Sequence, residues 1–203
     1  MHRVFISYHH HLDQRYKDAL CRWNGLHKIF IDESVYDGDI DDTNMGDEDI
    51  RKAIRDNNLR KSTVTLLLVG KQTQYRKHVD WELYSSMYDA PINHRSGIVV
   101  IMLPTTGCKC TFAGHDGEID SVFRGTDWQT NNLLTTNSDY QNHFPYLPNR
   151  IIVNLMEGAK ISIINWDELT PSRLATLIDN AYNDKDNTSY IFPKMRRYNY
   201  NPQ

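Results

Sequence analysis

Side chains able to do chemistry gather in this sequence directly behind short apolar runs. Ser7-Tyr8-His9-His10 closes the run that starts at Arg3, and Asp32-Glu33 follows Lys28 to Ile31. Lys71-Gln72-Thr73 follows the run from Ser62 to Val69, and the helix beyond it carries Asp80-Trp81-Glu82 near its start. In parallel sheets ligands bind at the carboxyl ends of the strands, so these groups are the first candidates for a shared site. Together they offer a carboxylate, a hydroxyl, an aromatic face and an imidazole that titrates near neutral pH. Arg76 adds a guanidinium suited to a phosphate, and equally to the acidic stretch from 32 to 49.

Metal chemistry is poorly served. His9, His10 and His11 are consecutive, so they point in different directions, and no partner with ligand spacing accompanies them. Cys108-Lys-Cys110, with His115 and Asp116 nearby, is an incomplete ligand set whose plain alternative is a pair of thiols in a loop. The stretch from 32 to 49 lacks the spacing and closing Glu of an EF-hand. The phosphate-cradling patterns GxxxxGK[ST] and GxGxxG are missing, as is GxSxG, which argues against a P-loop NTPase, a standard Rossmann dehydrogenase and a nucleophile-elbow hydrolase.

The elements that must hold these residues alternate. A strand from Arg3 to Tyr8 precedes a helix built on Tyr16, Ala19, Leu20 and Trp23 that ends near Gly25, and Lys28 to Ile31 forms a brief second strand. A helical period through Ile50, Ala53 and Ile54 ends around Asn57-Asn58. Ser62 to Val69 is apolar enough for a strand buried on both faces, Val79 to Tyr88 is helical, and Gly97 to Leu103 is another apolar strand. This is the βαβ order of a doubly wound, mainly parallel sheet. Residues 104–149 read as an insertion after the fourth strand. Ile151 to Val153 and Ile161 to Ile164 offer further strands, and a last helix over Leu174, Leu177, Ile178 and Ala181 starts behind Thr170 and Pro171. We read one domain over 1–190 with a carboxyl-terminal tail over 191–203, of which MRRYNYNPQ (195–203) is expected to be poorly ordered.

Composition narrows the function classes. With 39% hydrophobic and 24% charged residues a single core is feasible, and the formal net charge of −3 lacks the basic footprint of a dedicated nucleic-acid binder. No stretch approaches the roughly 20 apolar residues needed to span a bilayer, and the amino terminus has no signal-peptide core. Three cysteines cannot all pair within one chain, so a cytoplasmic location is expected.

VFISYHH at the amino terminus and STVTLLLVGKQTQYRKHVDWEL in the middle resemble the TIR-like domains of bacterial antiphage systems, closest to the TIR subunit of Thoeris. The family's F-x-S-[FY]-H pattern is met by Phe5, Ser7, Tyr8 and His9, and its W-E core by Trp81 and Glu82 within Arg76 to Glu82. NRIIVNLMEGAKISIINW, with Asn154, Gly158 and Trp166, fits the family's carboxyl-terminal part. The resemblance implies a flavodoxin-like α/β fold and cleavage of the bond between nicotinamide and ribose of NAD. It further implies a cyclic ADP-ribose-type signal that activates a separate effector, and self-assembly or an infection-derived trigger. NAD is then the substrate and no cofactor is expected.

Under that reading Glu82 is the catalytic residue, and Ser7, Tyr8, His9 and Arg76 are substrate-binding candidates. Nicotinamide leaves as a neutral base from a cationic pyridinium, so one carboxylate that stabilises oxocarbenium-like charge suffices. An isolated helical Glu is ordinarily a solvated surface residue; placement and resemblance favour the catalytic role. Trp81 is expected to pack against the sheet, and the 32–49 loop is assigned assembly and substrate gating. The competing reading is a non-catalytic TIR-like adaptor. A phosphoacceptor receiver would need acids at the first and third strand ends, where this chain has Tyr-His-His and Gly-Lys.

Overall fold

A computed structural model describes residues 1–34, 45–59, 61–89, 94–126, 128–129 and 134–200, among which fourteen strands and α-helices are formed. In chain order they are β1 (Arg3–Ser7), α1 (His10–His27), β2 (Ile31–Asp32), α2 (Asp47–Ile54), β3 (Val64–Val69), α3 (Lys77–Met87) and β4 (Gly97–Met102). There follow β5 (Thr111–Phe112), α4 (Glu118–Ser121), β6 (Trp128–Gln129), α5 (Asn137–His143), α6 (Asn149–Met156), β7 (Ser162–Asn165) and α7 (Pro171–Asp184).

The strands form one sheet in the order β2-β1-β3-β4-β7-β5-β6. The first five are mutually parallel, with Ser7 opposite Leu67, Val69 opposite Met102 and Val100 opposite Ile163. This is the 2-1-3-4-5 order of flavodoxin-like folds, with β5 added antiparallel to β7 at the edge. Every residue of β3 and β4 is buried because helices cover both faces. On one face Ile6, Leu66, Leu68, Val99 and Ile101 meet Leu20 of α1 and Leu174, Leu177 and Ile178 of α7. On the other, Leu67, Val69, Val100 and Met102 meet Val79 and Leu83 of α3 and Ile151, Ile152 and Leu155 of α6. A Cβ on Gly97 would lie 2.1 Å from the Ala181 carbonyl oxygen, so the glycine is what lets α7 close onto β4.

The segment from 104 to 149 is tied into the core by an acid. Glu118, fully buried, accepts bonds from the backbone of Gly114 and His115, from Ser162 Oγ and from Asn180 Nδ2. That arrangement fastens the segment to β7 and α7.

Several boundaries depart from expectation. The first helix runs past Gly25 to His27 and ends on Lys28 in the left-handed region (φ 52°), so the second strand shrinks to Ile31–Asp32. Ile151 to Val153 is helical, not extended: Ile151, Ile152 and Leu155 share a buried face, a helical period that the β-branched run disguises. Within residues 195–200, where a loose tail was expected, Met195 is buried and Arg196, Asn199 and Tyr200 are bonded to residues 75–81, while Tyr198 stays exposed. Asp37, Asp39, Asp41 and Asp42 of the acidic loop lie outside the described residues.

Candidate active site

Alternation along β1 decides which face each candidate reaches. Val4, Ile6 and Tyr8 turn toward α1 and α7, whereas Phe5 packs in a cluster with Trp81 on the α3 side. Ser7, two residues beyond Phe5, therefore faces α3 as well. Its hydroxyl donates to Glu82 Oε2 at 2.6 Å, with both residues buried. Burial disfavours the ionised form and raises the Glu82 carboxyl to about 7, and the Ser7 hydrogen bond partly opposes that rise. Ser7 is thus placed as the group that orients Glu82.

The other candidates occupy the neighbouring strand ends. His9 caps α1: its Nδ1 accepts from the Leu12 backbone at 3.3 Å, while Nε2 is buried with no partner among the described residues. Burial, followed by the charge of Arg76, lowers its pKa and so favours the neutral imidazole. Arg76 opens α3 and donates to Gln72 Oε1 at 2.6 Å. Tyr8 is turned to the opposite face of the sheet from Glu82, with its hydroxyl donating to Gln14 Oε1 at 2.6 Å. The structure therefore pairs Ser7 with Glu82, while His9 and Arg76 make their own local bonds to Leu12 and Gln72.

Two features escaped the sequence reading. Asp13, buried in the first turn of α1, lies over the end of β3, where a Cβ on Gly70 would come within 2.4 Å of its carboxylate. Burial raises it to about 6, against a weak bond from Thr73 Oγ1 at 3.4 Å. The signal was an Asp one turn into a helix, four residues after His9, together with a glycine closing the central strand.

The second is the segment from 193 to 200, which wraps the start of α3. The Trp81 ring N–H donates to the Arg196 carbonyl at 2.7 Å, and the Arg196 N–H donates to Asp80 Oδ2 at 2.7 Å. Asp80 also takes a bidentate bond from Arg150 of α6, at 2.7 and 2.9 Å. Asn199 Oδ1 accepts from the Lys77 backbone at 2.9 Å, and the Tyr200 N–H donates to the Tyr75 carbonyl. Met195 is buried with Phe5, Ile50, Ile54, Leu59 and Trp81, and Arg197 pairs with Asp47 at the start of α2. Trp81 packs as expected, but its partners include this late segment.

The thiols do not converge with His115. Cys108 Sγ donates toward the His143 carbonyl, and His115 Nδ1 bonds Asp184 Oδ2 at 2.8 Å. Among the described residues no three His, Cys, Asp or Glu side chains gather as metal ligands, and no helix is long and apolar enough to cross a membrane.

The mainly parallel sheet in this order, with helices on both faces, is the flavodoxin-like fold of a TIR-like domain. The chain belongs to the family described as Thoeris protein ThsB, TIR-like domain, whose sequence model matches residues 5–107. The match runs from β1 through β4 and includes Ser7, Tyr8, His9, Arg76 and Glu82. Comparison with curated proteins and with solved structures returned no match.

Proposed function

We propose that this chain cleaves NAD at the nicotinamide–ribose bond, and that the ADP-ribosyl group is captured by one of its own nucleophilic groups to give a cyclic nucleotide signal for a separate antiphage effector. The observation that carries the reading is Glu82: a buried carboxylate, fixed by Ser7, on the helix where the TIR-like family pattern places its acid. The C1′–N bond breaks with its electron pair leaving on nicotinamide. Positive charge then develops on the ribose, and a hydroxyl of the same ADP-ribosyl group adds to C1′ and gives up its proton, closing the ring. A preorganised carboxylate in a water-poor site is well suited to stabilise that charge and to accept bonds from the ribose hydroxyls. His9, whose buried Nε2 has no partner among the described residues, is the further candidate to contact the substrate. The direct test incubates purified protein with NAD and follows nicotinamide by chromatography and the nucleotide by mass spectrometry. Absence of turnover under every activating condition would leave a TIR-like adaptor.

Because the ionised form of Glu82 is the useful one, kcat/KM is expected to rise with pH through an apparent pKa of about 7. The Ser7 bond lowers that value, so Ser7→Ala should move the rising limb to higher pH. A flat profile from pH 5 to 9 would reject the ionised carboxylate as the operative form. The leaving group departs without Lewis-acid help, so exhaustive chelation should leave nicotinamide release intact. Activity lost to EDTA and restored by Zn²⁺ or Mg²⁺ would overturn this mechanism.

A further inference from the structure

Between the starts of α3 and α6, roofed by residues 193–196, lies a cleft of about 240 Å³. Four cationic residues are in its lining, Arg76, Arg150, Lys194 and Arg196, with Asp80 the single acid among them. That carboxylate is already satisfied, by the two bonds from Arg150 and the backbone N–H of Arg196. Arg150 is neutralised in the same contact. Arg76, Lys194 and Arg196 have no carboxylate partner among the described residues, and Arg76 Nε is buried without an acceptor.

Gathering like charges in one cleft is unfavourable, and so is burying a guanidinium N–H with nothing to accept its proton. A multivalent oxyanion removes both penalties at once, because its oxygens accept several charge-assisted bonds in a small volume. The cleft is smaller than the roughly 300 Å³ at which pockets for drug-sized ligands begin, so its occupant is compact. It is also separate from the proposed bond-breaking site. Arg76, Val79 and Asp80 of α3 line the cleft, whereas Glu82 turns toward Ser7 on β1 and is not in its lining.

We propose that this cleft is a second binding site, for a phosphate-bearing anion of about diphosphate size, occupied independently of the dinucleotide. An anion there would bridge the late segment to the first turn of α3. Its binding energy would then stabilise the end of the helix that carries Glu82.

The probe is inorganic pyrophosphate, titrated calorimetrically into the full chain. The informative variant is Lys194→Gln/Arg196→Gln, since the strap bonds of Arg196 come from its backbone and survive the change. Binding that weakens about tenfold or more in this variant, persists in Lys194→Arg/Arg196→Lys and falls with added NaCl is the expected result. Circular dichroism and melting of each variant separate loss of the site from loss of the fold. Absence of binding up to millimolar pyrophosphate overturns the proposal, as does affinity that the Gln variant leaves unchanged. Displacement by NAD overturns it too, by assigning the cleft to the dinucleotide. The readout is binding, so failure of the NAD-cleavage reading would not be mistaken for failure here.

Discussion

Glu82→Gln is expected to lower the rate of nicotinamide release on the order of a hundredfold or more, while the protein remains folded. The substitution keeps the shape and an acceptor for the Ser7 hydroxyl, and removes only the charge. Its effect on stability has a definite sign. The folded carboxyl titrates at about 7, above its ordinary range, so the native state binds the proton more tightly than the unfolded chain. Glu82 is therefore tolerated best below the unfolded pKa, and stability is lost as pH rises toward and through about 7. The Gln variant escapes that loss, so its melting temperature should equal or exceed that of the parent at pH 8 and differ little at pH 5. Nicotinamide release by the variant equal to that of the parent would remove Glu82 from the mechanism.

The largest loss of stability should come two residues away, from Asp80→Ala. Arg150 is buried, with its side chain only 2% exposed, and Asp80 is its ion-pair partner. Deleting the acid strands a guanidinium, and breaking a buried pair in this way costs about 3–5 kcal/mol. For a chain of this size that is a fall in Tm of roughly 6–20 °C. The Arg196 N–H loses its acceptor in the same step. Asp80→Ala/Arg150→Met should recover much of the deficit, because no unpaired charge remains, and urea unfolding of the single and double variants would measure it. If the single variant loses less than about 1 kcal/mol, the Asp80–Arg150 contact is not a structural joint.

What could be read from the residues was whatever local periodicity specifies. The all-apolar runs of β3 and β4 announced a sheet buried on both faces, and Thr170-Pro171 marked the start of α7 because a cap and a proline act within one turn. Glu82 was found through its place behind a strand, but its tether was not. Ser7 lies 75 residues away, and only the parallel pairing of β1 with β3 brings α3 against it. Tyr8 shows the complementary failure: adjacent residues in extended chain face opposite ways, so neighbouring candidates cannot all reach one site. The segment from 193 to 200 carries no period at all. Its order comes from partners on α2, α3 and α6, which composition does not reveal.

The contact between Trp81 and Arg196 joins residues 115 positions apart. A chain made from its amino end presents β1, β3 and α3 long before the segment that clamps them exists, and domains tend to organise in that order during synthesis. Loop-closure entropy also makes so distant a contact a late one when the finished chain refolds. The helix bearing Glu82 is therefore expected to acquire its final anchorage last, and a partly synthesised chain would hold the acid on a helix not yet fastened. Timing, as well as geometry, thereby separates an immature chain from one able to act.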